Sequence, residues 1–451
     1  MKIGIVTLGC DKNSVDSEYF AGLLEKHGFT AVAAPLEPDP TEHYDAVLIN
    51  TCGFIDAAKE QSIATILAWL EHKRQCEAER HPMRVFVGGC LTQRYRDELA
   101  AELPEVDGFL GVGDFERLPT LIAHGMVGTH VNAVRELPET VVKKKTPRKE
   151  LGGWRPYAYL KIADGCNHNC SFCAIPGFKG RLRSVPKEVI LAEARSLVRR
   201  GVRELCLVAQ DTSDYGKDLY GGTYGIAELL GDLASLKGDF WIRVHYFYPG
   251  GVNERFLEAF TSSPKIVPYL DMPLQHLEPD ILRLMKRPHA RVNVETVLAR
   301  LRRSVPGMAV RTTMIVGFPT ETRQHFEALL RGVRQLRFER LGAFEYSDEE
   351  GTPAWRLQPK VPARTRRRRY DRLMRTQAEI CAEFNRARIG TELRVLVESQ
   401  LEDGTYVART QYDAPEVDGA VIIAAPGGLE VGNFVDVRVT GAETYDLFAE
   451  L

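Results

Sequence analysis

The stretch CNHNCSFCAIP, from Cys166 to Pro176, decides how the rest of the chain is interpreted. Its three cysteines, Cys166, Cys170 and Cys173, have the spacing CxxxCxxC, and Phe172 stands directly before the last of them. A loop with three thiolates supplies one ligand fewer than a cuboidal iron–sulfur cluster or a closed tetrahedral zinc site requires. The stretch therefore predicts a metal centre with one open coordination position, as in catalytic sites.

This loop, aromatic residue included, resembles the cluster loop of the radical S-adenosylmethionine superfamily. The resemblance implies a [4Fe–4S] cluster whose open iron binds the methionine end of S-adenosylmethionine, and cleavage of that cofactor by one electron to a 5′-deoxyadenosyl radical. The alternative is a zinc ion held with His168 or a distant fourth ligand. Structural zinc sites more often bring two CxxC-like pairs, and the sequence has no second pair.

Length and composition limit the possible classes of protein. A chain of 451 residues predicts two to four domains, and 44% apolar with 27% charged residues is typical of globular proteins. Nine cysteines without regular spacing favour a reducing compartment and metal ligation over disulfides. The N-terminus turns polar too soon for a secretory signal, and no run approaches the roughly 18 apolar residues of a membrane helix. The sequence predicts a cytoplasmic protein with no membrane contact.

Residues 1–136 are predicted to form an α/β domain with a parallel sheet. Its three clearest strands are Lys2–Leu8, Ala46–Ile49 and Val85–Val87, and a cysteine follows each of them: Cys10, Cys52 and Cys90. Because the carboxyl ends of parallel strands meet at one edge of a sheet, these thiols are expected to converge on a second cluster with one open iron. The alternative is three buried, inert thiols, which is how we interpret Cys76, Cys206 and Cys381.

Residues 137–153 are predicted to be a basic linker, and residues 154–388 a second α/β domain. The linker's charge run indicates a solvated hinge or a contact with RNA or an acidic surface. Six strands then alternate with helices: Tyr157–Ile162, Glu204–Ala209, Trp241–Phe247, Val267–Asp271, Ala309–Val316 and Leu341–Tyr346. They predict an open, partial TIM-type barrel, whose active site lies at the carboxyl ends of the strands. The cluster loop follows the first strand, and Phe172 and Gln210 are the candidate contacts of the cofactor.

Residues 389–451 change to short alternating strands separated by Gly and Asp turns, which predict a small β-barrel. From Gly390 onward this region carries twelve acids and three arginines, a net charge of −9. Just before it, seven of the twelve residues from Arg364 to Arg375 are arginine, within a predicted helix. A solvated helix face or an interdomain strut is the commoner meaning of such a run, and contact with nucleic acid is the alternative.

These parts together resemble the methylthiotransferase family along the whole chain. That family joins an N-terminal cluster domain, a radical barrel and a C-terminal β-barrel called TRAM. The resemblance implies two [4Fe–4S] clusters, one held by Cys10, Cys52 and Cys90 and the other by Cys166, Cys170 and Cys173. It also implies that S-adenosylmethionine serves both as methyl donor and as radical source, so that a C–H bond is replaced by C–SCH₃.

Several stretches resemble the RimO branch, which modifies the β-carbon of an aspartate in ribosomal small-subunit protein twelve. They are GCDKNSVDSE from Gly9, CNHNCSFCAIP from Cys166, and the pair Tyr248–Pro249. The chain departs from this branch at Asp11, Lys179 and Val185, where proline, arginine and a basic residue are usual. The alternative is the branch that modifies adenosine in tRNA.

The net charge of the predicted small barrel distinguishes the two branches without reference to the sequence motifs. A barrel that binds tRNA needs a basic face, because neutralised phosphates supply most nonspecific RNA affinity. A barrel at −9 repels phosphate and attracts a basic protein. The sequence therefore favours a basic ribosomal protein as partner, either free or within the ribosome, and leaves the electron donor and the sulfur source unidentified.

Overall fold

The computed structural model describes residues 1–123, 131–132, 134, 137, 148–287, 292–424 and 428–451. The chain divides into two compact units. The N-terminal unit comprises Met1–Trp154, Asp164–His168 and Cys173–Arg183; the C-terminal unit comprises Arg155–Ala163, Asn169–Phe172 and Ser184–Leu451. The four domain limits expected from the sequence stay predictions. In the described part of the chain, every helix is too short or too polar to cross a bilayer.

The N-terminal unit is built on a six-stranded parallel sheet, with the order β2-β1-β3-β4-β5-β6. The strands are β1 (Lys2–Thr7), β2 (Thr30–Ala33), β3 (Ala46–Thr51), β4 (Arg84–Gly89), β5 (Gly108–Phe109) and β6 (Val131–Asn132). All residues of β3 are buried, as expected for a central strand covered on both faces. The three predicted strands are confirmed; β2, β5 and β6, with four, two and two residues, are too short to give a pattern.

Helices cover both faces of this sheet and leave its carboxyl edge to loops. They are α1 (Asp11–Lys26), α2 (Asp56–Ala78), α3 (Cys90–Arg94), α4 (Arg96–Glu102), α5 (Leu118–Ala123) and α6 (Ile175–Lys179). One core cluster packs Trp69 and Leu70 of α2 against the sheet, and a second packs Phe20 and Leu24 of α1 on it. The apolar stripes of these two helices therefore hold the strand ends in fixed positions.

The end of the predicted basic linker is bound to the N-terminal unit. Residues 138–147, including Lys143, Lys144 and Lys145, lie outside the described residues. The Arg148 side chain, only 5% exposed, forms an ion pair with Glu18 of α1. The Lys149 ammonium donates to the carbonyl oxygen of Ala31, 2.7 Å away. Arg148 is therefore packed on α1, whereas the Lys149 side chain is 38% exposed, and the hinge between residues 137 and 153 stays a prediction.

The C-terminal unit begins with the predicted open barrel, called here the large barrel. Its strands are β7 (Tyr157–Lys161), β10 (Glu204–Val208), β11 (Trp241–Val244), β12 (Ile266–Asp271), β13 (Ala309–Val316) and β14 (Arg340–Glu345). Two short strands, β8 (Ala163–Asp164) and β9 (Arg183–Ser184), lie between β7 and β10 in the sequence and pair with each other. The six long strands form one parallel sheet in the order β14-β13-β12-β11-β10-β7. The six predicted strands and the partial barrel are confirmed.

Helices connect these strands in the right order for βα units. They are α7 (Lys187–Arg199), α8 (Lys217–Tyr220), α9 (Ile226–Ala234), α10 (Glu254–Thr261), α11 (Pro279–Leu284), α12 (Val294–Ser304), α13 (Arg323–Leu336) and α14 (Ala363–Arg386). Side chains cap several of them: Asn293 accepts a hydrogen bond from the Thr296 N–H (3.0 Å), and Thr322 accepts one from the His325 N–H (3.2 Å).

The arginine run lies on α14, where it packs the helix onto the large barrel. Arg369 is buried and donates to Glu321 Oε1 at 2.7 Å, and Arg372 donates to Glu327 Oε1 at 2.7 Å. Arg366 covers Gly317, where an added Cβ would lie 2.3 Å from the arginine Cγ. Arg366, Arg369 and Arg372 therefore brace α14 against the large barrel, while Arg364, Arg367, Arg368 and Arg375 form an exposed helix face.

The C-terminal 60 residues form the predicted small barrel, a closed sheet in the order β15-β16-β17-β19-β18. The strands are β15 (Glu392–Gln400), β16 (Tyr406–Thr410), β17 (Val421–Ile423), β18 (Phe434–Ala442) and β19 (Leu447–Glu450). The four-residue strand β19 closes the barrel by pairing with β17 and β18.

The small barrel is joined to the N-terminal ends of the large barrel's strands by buried ion pairs. Asp413, in the loop after β16, accepts a hydrogen bond of 2.7 Å from Arg340, the first residue of β14. Both side chains are only 5% exposed. Arg409 of β16 forms an ion pair with fully buried Glu204, the first residue of β10. The small barrel therefore closes the end of the large barrel opposite to the carboxyl edge of its strands.

Replacing Arg340 with methionine is expected to lower the free energy of unfolding of this unit by roughly 3–5 kcal/mol, because Asp413 would stay buried without its partner. Urea unfolding followed by circular dichroism measures the loss. The matched control is Arg394→Met, which breaks an exposed pair with Asp239 (2.6 Å) and should cost less than about 1 kcal/mol. Equal losses in the two variants would show that the buried pair does not hold the barrels together.

Candidate metal centres and cofactor site

Three cysteines of the N-terminal unit lie at the carboxyl edge of its sheet, after three neighbouring strands. Cys10 precedes α1, Cys52 follows β3, and Cys90 is the first residue of α3, directly after β4. Two glycines let these loops approach one another. An added Cβ on Gly9 would lie 2.9 Å from the Cys52 sulfur, and one on Gly53 would lie 2.8 Å from the Leu91 Cα. A side chain at either position would push the cysteine loops apart.

The spacing of these three thiols suits a cluster better than a single ion. The three sulfur atoms do not all lie within 4.8 Å of one another, so at least one sulfur–sulfur distance is longer than that. A tetrahedral zinc ion, with Zn–S distances of about 2.3 Å, would hold sulfurs roughly 3.8 Å apart. An iron–sulfur cluster is larger, and each of its thiolates binds a different iron. The donor set therefore fits a cluster held by three thiolates.

The three thiols are close enough to influence one another's ionisation. Burial raises the pKa of the Cys90 thiol to about 12, the Lys179 ammonium opposes that rise, and the Cys10 and Cys52 thiols add to it. Burial also raises the pKa of the Cys52 thiol, with a contribution from Cys10. A metal centre bound here must therefore displace protons from the thiols as it forms.

Lys179, at the end of α6, is a buried cation beside these thiols. Its side chain is 3% exposed, and its Nζ lies 3.5 Å from Asp164 Oδ1 and 3.7 Å from Asp16 Oδ2. Burial lowers the pKa of this ammonium, but the two carboxylates and the thiols raise it by more, so the group stays charged. Among the described residues, no acceptor lies within hydrogen-bonding distance of the Nζ. The sequence marked Lys179 only as a departure from the family's usual arginine.

Two cysteines of the CxxxCxxC loop, Cys166 and Cys173, belong to the N-terminal unit. The Cys166 N–H donates to the Gly180 carbonyl at 3.1 Å, and the Cys166 sulfur accepts from the His168 N–H at 3.4 Å. His168 thus meets the thiol through its backbone. Both cysteines are half-buried.

The remaining cysteine of the loop, Cys170, belongs to the C-terminal unit and is buried. Ser171, the next residue, anchors Cys170. The Ser171 N–H donates to the Met285 carbonyl oxygen (2.9 Å), and the Ser171 hydroxyl donates to the Leu284 carbonyl oxygen (2.6 Å). The Cys170 sulfur accepts a hydrogen bond from Arg287 Nη1 at 3.4 Å. Sequence reasoning missed Arg287, which lies more than a hundred residues downstream and follows no recognisable spacing.

Arg287 also contacts a residue that marks the branch of the family. Its Nη2 donates to the Pro273 carbonyl at 2.6 Å, and its guanidinium carbon lies 4.7 Å from the centroid of the Tyr248 ring. The Tyr248 side chain is buried at 8% exposure. The Tyr248 ring therefore helps to hold the Arg287 guanidinium that donates to Cys170. Tyr248 thus has a structural role in addition to marking the RimO branch.

The two predicted cofactor contacts lie at the carboxyl ends of the large barrel's strands. Phe172 packs against a core cluster that includes Met285, Phe318 and Tyr346. Gln210 follows β10 and is half-buried. By contrast, His276, another polar residue at a strand end, is fully buried, and burial lowers its pKa to about 3, so its imidazole is neutral.

Comparison with known proteins agrees with this architecture. Residues 2–111 match the Uncharacterized protein family UPF0004, residues 160–333 the Radical SAM superfamily, and residues 389–451 the TRAM domain. A Desulforamulus reducens protein named ribosomal protein uS12 methylthiotransferase RimO is 41% identical, with 100% of this chain and 99% of that protein covered. One of the same name from Heliobacterium modesticaldum is 43% identical, with 100% and 95% covered. The chain belongs to the RimO family.

Membership in the RimO family makes this chain a radical methylthiotransferase, with S-adenosylmethionine and [4Fe–4S] clusters as cofactors. The fold has solved relatives of low sequence identity. The radical S-adenosylmethionine methyltransferase TsrM from Kitasatospora setae, with a tryptophan substrate and a cofactor analogue bound, gives a TM-score of 0.55 at 14% identity, over 76% of this chain and 72% of that one. This likeness supports the fold of the RimO chain.

Proposed function

We propose that this chain transfers a methylthio group to the β-carbon of an aspartate in ribosomal protein uS12. The observation that carries the proposal is the identity of about 40%, along the entire chain, to relatives named for that activity. The resemblance of the cysteine loop and the Tyr248–Pro249 pair to the RimO branch supports the same substrate.

Six cysteines are proposed as the cluster ligands. Cys10, Cys52 and Cys90 would hold one [4Fe–4S] cluster, because they meet at one sheet edge with a spacing too wide for a single ion. Cys166, Cys170 and Cys173 would hold the other. Each set supplies three thiolates, so one iron of each cluster keeps an open position for a further ligand.

When bound, the clusters and S-adenosylmethionine would supply the methyl group and the radical chemistry. The chain's own residues position these groups. Arg287 donates to the Cys170 sulfur, and hydrogen bonds to cluster thiolates raise the reduction potential of a cluster. Phe172 and Gln210 are the proposed contacts of S-adenosylmethionine, since both lie where the cofactor of a TIM-type barrel is expected.

The proposed partner is a basic protein of the small ribosomal subunit, met in the cytoplasm, either free or within the ribosome. The acidic small barrel supports this choice, although its surface is less acidic than −9 indicates. Four of its acids are bound internally or to the large barrel: Glu398, Asp413, Glu416 and Asp418. Of the other eight acids, seven are exposed, and Asp446 is half-buried and accepts from the Ala420 N–H. Only Arg394 and Arg438 are exposed against them, so the surface still attracts cations.

The alternative, methylthiolation of adenosine in tRNA, has less support. The relatives reported above are named for a ribosomal protein. The arginine run, its main physical argument, uses Arg366, Arg369 and Arg372 to pack α14 onto the large barrel. Arg369 is buried in these contacts and is not available to bind phosphate, whereas Arg364, Arg367, Arg368 and Arg375 stay exposed.

Mass spectrometry of uS12 tests the proposal directly. In a strain without this gene, uS12 should lack one methylthio group, and a plasmid copy of the gene should restore it. A plasmid copy with Cys52→Ala serves as the matched control and should not restore it. If the mass of uS12 did not change on deletion while a methylthioadenosine disappeared from tRNA, the substrate would be tRNA instead.

A further inference from the structure

The hydrogen-bonding capacity of Lys179 is not used by the protein. An ammonium has three N–H donors, and burying it without acceptors costs far more than burying an apolar side chain. The side chain of Lys179 is nevertheless 3% exposed, and no described atom accepts from its Nζ. A cation held in this way indicates that a group outside the polypeptide accepts its hydrogen bonds.

The two nearby carboxylates do not supply that acceptor. Asp164 and Asp16 lie 3.5 and 3.7 Å from the Nζ, which balances charge but exceeds hydrogen-bond length. A lysine elsewhere in the same unit shows the usual distance for a charge pair: Lys73 Nζ lies 2.7 Å from Asp107. Lys179 therefore balances the charge of both carboxylates without donating a hydrogen bond to either.

The thiols proposed to hold the N-terminal cluster lie on the elements that pack around Lys179. Phe178, the residue before Lys179, packs in one core cluster with Cys90. The helix that ends at Lys179, α6, also contacts α3, the helix that begins at Cys90. The acceptor that the Nζ lacks is therefore to be sought in the group that these thiols would hold.

We propose that Lys179 is a positioning residue of the N-terminal cluster, which donates a hydrogen bond to a sulfur of that cluster and raises its reduction potential. The inference rests on the proposed ligands Cys10, Cys52 and Cys90. A positive charge and a hydrogen bond at the sulfurs both favour the reduced cluster, which carries one more negative charge. Lys179 thereby sets how readily the N-terminal cluster accepts an electron.

The test uses the full chain with Cys166, Cys170 and Cys173 changed to alanine, so that only the N-terminal cluster forms. In this background, an electron paramagnetic resonance titration against solution potential compares Lys179 with Lys179→Met and Lys179→Arg. At a fixed potential, Lys179→Met should lower the ratio of reduced to oxidised cluster at least tenfold, a shift of 59 mV for one electron. Lys179→Arg keeps the charge and should stay within threefold of the parent.

Lys73→Met is the matched control, because it removes a lysine of the same unit that is already paired with Asp107. It should leave the potential unchanged. Equal potentials for Lys179 and Lys179→Met would overturn the inference, while the bound iron would still support the cluster ligands. If the parent background bound no iron, the proposed ligands would fail and the inference with them.

A second measurement does not depend on whether Lys179→Met folds. In the same cysteine background, with lysine carrying an isotope-labelled side-chain nitrogen, electron–nuclear double resonance of the reduced cluster should detect coupling to that nitrogen. Lys179→Arg should abolish the coupling and keep the cluster. Absence of coupling in the parent would overturn the inference.

Discussion

Replacing Cys170 with alanine is expected to abolish the reductive cleavage of S-adenosylmethionine. Two thiolates do not hold a low-potential cluster in place, and Cys170 is also the thiol that accepts from Arg287. Iron in the anaerobically reconstituted chain should fall from about eight to about four atoms, the content of one [4Fe–4S] cluster. Chromatography of 5′-deoxyadenosine after reduction measures the cleavage.

Cys206→Ala is the matched control for this variant. Cys206 lies within β10 of the same unit, is fully buried, and is interpreted as structural. It should keep both iron and cleavage, at a small cost in stability. Cleavage retained by Cys170→Ala would remove Cys170 from the ligands. A wild-type chain that bound iron but never cleaved the cofactor would be a non-catalytic scaffold.

Replacing Cys52 with alanine is expected to separate the two halves of the reaction. Cys166, Cys170 and Cys173 are all kept in this variant, so cleavage of S-adenosylmethionine should continue at a rate close to that of the wild type. Formation of the methylthio product should be lost, because two thiolates would not hold the N-terminal cluster that the methylthiotransferase family has in addition to the radical cluster. Mass spectrometry of a uS12 substrate and the yield of 5′-deoxyadenosine, measured in the same reaction, give both results.

The control for Cys52→Ala is Cys76→Ala in the same unit. Cys76 lies on α2, is 7% exposed, and packs within the core, away from the sheet edge that carries the proposed ligands. It should lower stability only slightly and leave both cleavage and product. Full product formation by Cys52→Ala would contradict the division of labour between the two clusters.

The sequence predicted the N-terminal thiols because they follow strands of a parallel sheet, a rule that needs only the alternation of strands and helices. The strand order was not predictable. The order β2-β1-β3-β4 makes the strands before Cys10, Cys52 and Cys90 immediate neighbours, and this order depends on tertiary packing. The glycines at 9 and 53 were noticed, but only the structure shows which atoms they leave room for.

Pairs of charges distant in sequence were the features that could not be predicted. Lys179, Asp164 and Asp16 meet although the last is about 150 residues from the others, and their distances follow from the fold alone. The acidic surplus of the C-terminal region was counted correctly. The sequence did not show that Asp413 and Asp418 face arginine and tyrosine side chains of the large barrel.

The loop between β16 and β17 limits how this protein can be rearranged. Its acids are matched one by one to partners on the large barrel, with Asp413 on Arg340, Glu416 on Tyr157 and Asp418 on Tyr269. A chimera that received a TRAM module from another protein would leave those partners facing the wrong groups, at a cost that is largest for buried Arg340 and Tyr269. The large and small barrels should therefore be inherited together. Recombination should be tolerated only where both partners of each contact come from the same parent.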